Sequence, residues 1–169
     1  MDVSGNVKYA DWKKAFVDGR DKLGLTLVIA AAIIKPISSK DGGSGVQTVG
    51  YIDIEKYRCI TDDITTDEVI ITPERIQHIK NHHPGHFELI EPFLKDVLEA
   101  PQYILEDAPN TGLLLKMIER QGINIKVVLR IHTSSDPTGF KNSIISAWHI
   151  RDKEYKRLIR NKRILYKQE

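Results

Sequence analysis

The sequence contains a single cysteine, Cys59, among its 169 residues. One thiol excludes an internal disulfide framework and a cysteine-rich zinc site, and it fits a reducing compartment. Long hydrophobic runs are lacking as well. The longest run, residues 25–34, is interrupted by Thr26 and is far shorter than the roughly 18–20 residues of a membrane-spanning helix, and no signal peptide precedes it. We therefore expect no interaction with a membrane.

Net charge is also small, because 25 basic residues oppose 23 acidic ones and leave a formal charge of +2. A total of this size does not indicate a nucleic-acid or membrane binder. The charges are nevertheless segregated. Residues 88–110 hold six acids against one lysine, whereas residues 141–169 hold nine bases against three acids. The C-terminal part is therefore a basic segment that the total conceals.

The length fits one domain with an appendage, and 41% hydrophobic with 28% charged residues is ordinary globular composition. Residues 35–45 gather lysine, proline, serine and glycine, with few side chains to bury, and predict a linker. We therefore divide the chain into an N-terminal appendage with a Gly/Ser-rich linker, residues 1–45, and a folded domain, residues 46–169.

Short strands are predicted at residues 46–53, around Tyr57 and at 69–71. Thr72, Pro73 and Glu74 combine an N-cap, a proline at the first helical position and an acid in the first turn, so a helix should begin there. It should end near His82, because Pro84 disfavours a helical conformation for the residue before it. The later predicted elements are a helix at 91–99, strands at 102–106, 112–119, 123–132 and 143–150, a basic helix at 152–160 and a closing hydrophobic segment at 164–166. This order predicts an α+β fold in which N-terminal helices pack on an antiparallel β-sheet.

Four of the six histidines lie within nine residues: His78, His82, His83 and His86. His78 and His82 are four residues apart, so on a helix they share a face and offer two ligands to a metal such as zinc. The sequence ties no third ligand to them. Exposure on a solvated helix face is the simpler interpretation of His82 and His86.

His83 continues the apolar face of the predicted helix, on which Ile76 and Ile79 lie. Partial burial beside other bases would lower its pKa towards that of a general base near neutral pH. A core histidine with satisfied hydrogen bonds is the alternative.

The strand predicted at 123–132 alternates, with Lys126, Arg130 and His132 on its polar side. Such a row of cations is able to hold phosphate, or it is the solvated face of a sheet. Lys116 would join this surface if its strand pairs with this one. Ser146 lies in a hydrophobic strand without the glycines of a nucleophile elbow, which argues against a hydrolase serine.

Three segments together are similar to a known family: residues 69–79 (VIITPERIQHI) followed by His82-His83-Pro84, residues 142–148 (NSIISAW) and residues 164–167 (ILYK). Over residues 46–169 they resemble the phage-borne nuclease domains related to barnase, EndoU, colicin and RelE ribonucleases. The resemblance implies an antiparallel sheet with an RNA-cleaving site on its open face. Residues 6–12 are also similar to the end of a phage head-morphogenesis protein, of which such a nuclease would be the C-terminal module.

Matched position by position, the resemblance assigns His83 to the family's helix-end histidine and His78 to a position one turn earlier. Arg130 matches a basic strand position, and Asn142 and Ser146 match the penultimate-strand motif. This chain has His82 where the family has arginine, and Ser146 where threonine is usual.

The activity implied is metal-independent cleavage of RNA by attack of the ribose 2′-hydroxyl, without a cofactor. Such chemistry needs a base, an acid and a cation for the phosphate. The catalytic residues are then His83 as base, His78 or His132 as acid, Arg130 as cation, and Ser146. The substrate-binding residues are Lys116, Lys126, Lys141, Asn142, Arg157 and Arg160.

The implied partner is RNA, joined by an immunity protein if the domain is a toxin or effector, or by a phage structural protein. The implied location is the cytoplasm of a host cell, or a virion before delivery. Two alternatives remain open at this point. One is a non-catalytic module of the same fold that binds RNA or a capsid partner, and the other is a metal-dependent DNA nuclease built on the histidine cluster.

Overall fold

The computed structural model describes residues 45–169. The interpretations of the appendage, the linker and the head-protein similarity fall outside these residues, apart from Gly45. The strands are β1 (Gln47–Tyr51), β2 (Glu68–Ile71), β3 (Tyr103–Glu106), β4 (Thr111–Ile118), β5 (Ile123–Arg130), β6 (Asn142–Ile150) and β7 (Ile164–Lys167). The α-helices are α1 (Ile54–Tyr57), α2 (Pro73–His82), α3 (His86–Ile90), α4 (Leu94–Glu99) and α5 (Asp152–Asn161), with 3₁₀ turns at Glu91–Phe93 and Glu119–Gln121. No helix in this part of the chain is both long and apolar enough to cross a membrane.

The seven strands form one sheet in the order β1-β2-β6-β5-β4-β3-β7. All neighbouring pairs are antiparallel except β2 and β6, which run parallel. The fold is therefore α+β, but the prediction of a wholly antiparallel sheet is wrong at this pair. Hairpin connections predict antiparallel pairing, whereas β2 and β6 meet only after the helices and three strands have intervened in the chain.

One face of the sheet lies in the main hydrophobic core. Ile125, Val127 and Leu129 of β5 are fully buried there, in the same cluster as Ile79 of α2 and Ile90 of α3. The strict alternation of β5 sends every second side chain to this face. The polar members of the alternation are therefore directed to the other face.

That second face is covered at one end by α5. Tyr155 and Leu158 of α5 share a smaller hydrophobic cluster with Leu113 and Leu115 of β4 and with Ile150 of β6. The remaining residues of α5 are mostly charged and exposed. The basic helix predicted at 152–160 is thus confirmed, and it presents an apolar stripe to the sheet and a cationic surface to solvent.

Local sequence signals place both ends of α2. The side chain of Thr72 accepts a hydrogen bond from the backbone N–H of Arg75 at 3.3 Å, and Pro73 occupies the first helical position. The helix ends at His82, as predicted, and His83 leaves the helical conformation. Gly85 then adopts a left-handed φ of 76°, which only glycine takes up without strain, and turns the chain into α3.

Two further predictions need correction. The chain around Tyr57 forms α1, capped by the Asp53 side chain, rather than a strand. The single helix expected at 91–99 is a 3₁₀ turn followed by the short helix α4, and it is preceded by α3. The strand predicted at 69–71 is present as β2. The five later predicted segments correspond to β3, β4, β5, β6 and β7, with bounds that differ by one or two residues.

Asn142 fastens β6 to the loops at its end. Its side-chain Oδ1 accepts from the backbone N–H of His132 at 2.8 Å, and its Nδ2 donates to the carbonyl of Thr66 at 2.6 Å. The side chain is fully buried. One amide therefore satisfies a donor that follows β5 and an acceptor that precedes β2, which are otherwise far apart in sequence.

We expect Asn142→Ala to lower the free energy of unfolding by about 2–6 kcal/mol, because it leaves one buried and one part-buried backbone group without partners at about 1–3 kcal/mol each. Urea unfolding followed by circular dichroism measures the change. Asn161→Ala, at the exposed end of α5, is the matched control and should change stability by less than about 0.5 kcal/mol. Equal effects of the two substitutions would show that Asn142 is not a structural clamp.

Candidate active site

The turn between α2 and α3 lies along the edge of β6. The parallel pairing with β2 involves only the first two residues of β6, so no strand of the described chain pairs with the second half of β6 on that side. The His83 ring stacks on the Trp148 ring, with centroids 4.6 Å apart and planes 11° from parallel. The ring centroids of His86 and His149 are 5.7 Å apart, and His149 follows Trp148 in β6. Because successive strand residues project to opposite faces, this turn straddles the sheet edge.

His83 therefore reaches the second face of the sheet, where it belongs to a cluster with Trp148, Lys126 and Glu154. The Lys126 ammonium lies 4.3 Å from the centroid of the Trp148 ring, and the two residues are directly opposed in the β5–β6 pair. Lys126 also lies 3.9 Å from the Glu154 carboxylate on α5. We call these four residues the His83 cluster. It joins the end of α2, the middle of the sheet and the beginning of α5.

Burial and neighbouring cations disfavour the protonated form of His83. Desolvation lowers its pKa first, and the nearby His86, His82 and Lys126 lower it further, while Glu154 opposes them. A half-buried imidazole that is neutral at physiological pH is suited to accept a proton. The prediction that partial burial makes His83 a candidate base agrees with this environment.

His78 lies one turn and a half earlier on α2. Its ring and that of His82 are 4.1 Å apart, and His82 Nδ1 lies 2.9 Å from the His78 carbonyl oxygen. Desolvation, followed by the charges of His82, Arg75 and His83, lowers the pKa of His78 to about 4. The charge of His83 is the smallest of these influences on the pKa of His78.

Arg130, predicted to stabilise the phosphate, is engaged with an acid. Its Nη2 donates to both oxygens of Asp136, at 2.9 and 3.1 Å, and its Nη1 bonds the Ile131 carbonyl. Asp136 also accepts from the N–H and the hydroxyl of Thr133. The guanidinium thus holds the loop after β5 in place, and its charge is balanced within the protein.

His132 is also held on both sides of its ring. Nδ1 is hydrogen-bonded to the Thr65 hydroxyl, and Nε2 lies 3.0 Å from the Pro137 carbonyl oxygen. A carbonyl only accepts, so Nε2 donates to Pro137, and the Thr65 hydroxyl also reaches the backbone carbonyl of His132. The side chain is 8% exposed and stacks on Phe140. Its geometry favours the anchoring of the loop over proton transfer.

The prediction that Lys116 shares a surface with Lys126 and Arg130 is wrong. Strand β4 does pair with β5, but Lys116 is opposed to Ile125, which faces the main core. Its ammonium bonds the Ala100 carbonyl at 2.7 Å and Asp96 at 3.1 Å. The register of the β4–β5 pair therefore places Lys116 on the helical side of the sheet.

Asn142 and Ser146, the predicted residues of the penultimate strand, are both buried in β6. The Asn142 amide is fully buried and bonds the backbone at both of its ends, which favours a structural role over contact with a substrate. Ser146 is 2% exposed and opposite Val128, on the same face as Trp148. It lies two residues before Trp148 in β6, on the same face of the sheet as the His83 cluster.

The other predicted binding residues divide into two groups. Lys141 is paired with Glu68 at 2.7 Å, at the far end of β6. Arg157 and Arg160 are exposed and follow Glu154 at intervals of three residues along α5. Since residues three apart adjoin on a helix, these two arginines continue the His83 cluster along the helix surface.

Three participants were not singled out by the sequence: Trp148, Glu154 and Arg75. Trp148 was recognised only as part of a motif, and its stacking partner depends on long-range packing. Glu154 carries no local signal, because Lys126, the residue it pairs with, lies on a distant strand. Arg75 shares the polar face with His78, and that spacing was a signal that pointed to it.

His86 is half-buried, and its Nδ1 is buried without a hydrogen-bond partner in the described structure. The simple interpretation of His86 as a solvated helix residue is therefore wrong, whereas His82 is exposed as expected. Within residues 45–169, no three His, Cys, Asp or Glu side chains come together in an arrangement that could hold a metal ion.

Comparison with known proteins agrees with the similarity found in the three sequence segments. Searches of curated proteins and of solved structures returned no match. The family model described as phage-Barnase-EndoU-ColicinE5/D-RelE like nuclease2 matches residues 45–167, which include every strand and helix of the described structure. The chain therefore belongs to this family of phage barnase, EndoU, colicin E5/D and RelE-like nucleases.

Proposed function

We propose that the domain is a metal-independent endoribonuclease that cleaves RNA by attack of the ribose 2′-hydroxyl on the adjacent phosphate. The observation that supports this proposal most directly is the position of His83, which stacks on Trp148 at the open edge of β6 beside Lys126. The pKa values of His83 and of His78 on α2 are both lowered. The family membership supports nuclease activity, and the histidine pair supports chemistry by proton transfer.

In the proposed reaction His83 takes the proton of the 2′-hydroxyl as the O2′–P bond forms. His78 gives a proton to the 5′-oxygen as the P–O5′ bond breaks, which leaves a 2′,3′-cyclic phosphate and a free 5′-hydroxyl. Lys126, beside His83, offsets charge that develops on the phosphate. We choose His78 rather than His132 as the acid because His132 is buried and fixed in its loop, whereas His78 is half-buried on the surface of α2.

We expect His83→Ala and His78→Gln each to lower kcat/KM for RNA cleavage by about 10²–10⁴-fold, the usual contribution of a general acid or base. A fluorogenic RNA oligonucleotide measures the rate, with and without a chelator. Cleavage should resist the chelator and should be absent with DNA of the same sequence, which lacks the nucleophile.

His149→Gln is the control, since His149 lies on β6 next to Trp148 and projects to the opposite face. It should retain activity within about 3-fold of the parent, well above the losses expected for a catalytic histidine. Full activity of His83→Ala would contradict the proposal. Chelator-sensitive cleavage of DNA would favour a metal-dependent DNA nuclease, and the absence of any cleavage would favour a binding module.

The dependence of kcat/KM on pH should be bell-shaped, with its maximum on the acidic side, between about pH 4 and 6.5. The reactive form has His83 neutral, which is lost as pH falls, and His78 protonated, which is lost as pH rises. Because the pKa of His83 lies below its usual 6.5 and that of His78 at about 4, both limbs lie below neutrality.

The single variants should separate the two limbs. With His78→Gln the residual rate should rise with pH and level off, because only neutral His83 is still required. With His83→Gln the residual rate should fall as pH rises through the pKa of His78. An optimum above pH 7, or an unchanged profile in both variants, would refute these roles.

Binding of RNA should weaken steeply with salt, because lysines and arginines displace counterions from phosphates. We expect the double substitution of Arg157 and Arg160 by glutamine to reduce the slope of log Kd against log salt by about 1.4, at about 0.7 per phosphate contact on a single strand. An RNA oligonucleotide with 2′-fluorine in place of the hydroxyls allows binding without cleavage. Arg58 pairs with Glu55 on α1, away from α5 in sequence, so the control Arg58→Gln should leave the slope unchanged. Equal slopes for the parent, the double variant and the control would exclude a role for α5 in RNA binding.

A further inference from the structure

Arg75 occupies a fixed position in the first turn of α2. Its backbone N–H donates to the Thr72 hydroxyl, which caps the helix. The residue lies three positions before His78, so the two side chains adjoin on one face of the helix. Its charge contributes to the low pKa of His78. Arg75 thus lies one helical turn before one of the two histidines proposed to transfer protons, and its charge acts on that ring.

The charge of Arg75 is not balanced in the way that other cations of this domain are. Each of the remaining half-buried lysines and arginines among residues 45–169 makes a hydrogen bond or an ion pair through its side chain. No hydrogen bond or ion pair links the Arg75 guanidinium to any residue in this part of the chain. The acid whose charge acts on it, Glu74, precedes it in sequence and is exposed.

This arrangement costs free energy in the absence of a ligand. Desolvation is the largest influence on Arg75 and lowers its pKa, although an arginine remains charged at any physiological pH. A half-buried charge without a hydrogen-bonded partner destabilises the folded protein. Uncompensated charge of this kind concentrates at functional sites, where a ligand supplies the missing partner.

The ligand must be an anion, and the planar guanidinium favours one that accepts two parallel hydrogen bonds, as a phosphate does. Arg130, the other arginine considered for this role, already has such a partner in Asp136. We propose that Arg75 is a further catalytic residue, which binds the scissile phosphodiester of RNA beside His78 and stabilises the charge that develops on it. This inference rests on the proposed function and names the group that recognises its substrate.

A bound phosphate between Arg75 and His78 would have a second effect. Its negative charge favours the protonated form of His78, which is the form that a general acid requires. The charge of Arg75 lowers the pKa of His78, and the phosphate that Arg75 binds would raise it again. In the free protein the charge of Arg75 disfavours protonation of His78. In the complex, Arg75 and protonated His78 would both contact the same phosphate.

The test compares Arg75→Gln and Arg75→Lys with Arg120→Gln, a control at an exposed arginine in the 3₁₀ turn after β4. Binding is measured with the 2′-fluoro RNA oligonucleotide, and the protonation of His78 is followed by NMR of its ring nitrogens with and without that RNA. We expect Arg75→Gln to weaken binding by about 10–100-fold, as a lost charged hydrogen bond does, and to lower kcat/KM by about 10²–10³-fold.

Arg75→Lys should be intermediate, because an ammonium keeps the charge without the planar fork. In the parent the RNA should raise the pKa of His78, and in Arg75→Gln this rise should be lost. Thermal unfolding separates a functional role from a structural one. Arg75→Gln should melt at the same temperature as the parent or higher, since it removes an unpaired charge, whereas loss of a structural arginine would lower the melting temperature.

Arg75→Gln that binds and cleaves like Arg120→Gln would overturn the inference, as would a loss of activity explained entirely by unfolding. If the parent protein binds the 2′-fluoro RNA through Arg75 but cleaves no RNA, the phosphate contact stands and the proposed nuclease mechanism fails. If the parent neither binds nor cleaves, both are refuted.

Discussion

The short pairing between β2 and β6 is the constraint on which the candidate site depends. Only two residues of β6 have a partner in β2, so the rest of that edge is open to the turn between α2 and α3. A longer β2 would occupy the position from which His83 reaches Trp148. The parallel direction of the pair has a related effect, because it brings the end of β2, and with it the start of α2, alongside β6. The position of His83 and His86 beside β6 thus depends on the short length of the β2–β6 pairing.

The electrostatics of this edge follow from the partial burial of basic side chains that are not all paired with acids. Elsewhere in the described domain, half-buried lysines and arginines bond a carboxylate or a carbonyl, as Lys116 bonds Asp96 and Arg130 bonds Asp136. Arg75 of α2 does not, and desolvation is the leading cause of the lowered pKa of both His78 and His83. Such a surface attracts anions and keeps His83 neutral, which is the form that the proposed base requires. A bound phosphate would in turn favour the protonated form of His78 that the proposed acid requires.

Features that depend on neighbouring residues in the chain could be predicted from the sequence. The cap at Thr72, the termination before Pro84 and the alternation of β5 all follow from local chemistry, and the structure confirms them. Features that depend on register or on distant contacts could not. No local pattern reveals that Lys116 faces Ile125's side of the sheet, that β2 runs parallel to β6, or that Asp136 neutralises Arg130. His83 was found because it lies at a helix end, but its stacking partner comes from a strand more than sixty residues later in the chain.

The stack between His83 and Trp148 has an optical consequence. The chain contains two tryptophans, Trp12 and Trp148, and one of them has an imidazole against its ring. A protonated imidazole draws electron density from an indole that it touches and quenches its fluorescence, whereas a neutral imidazole does so far less. We therefore expect the emission of Trp148 to depend on the charge of His83, so that a chain with Trp12 replaced would report the state of that histidine without an added label.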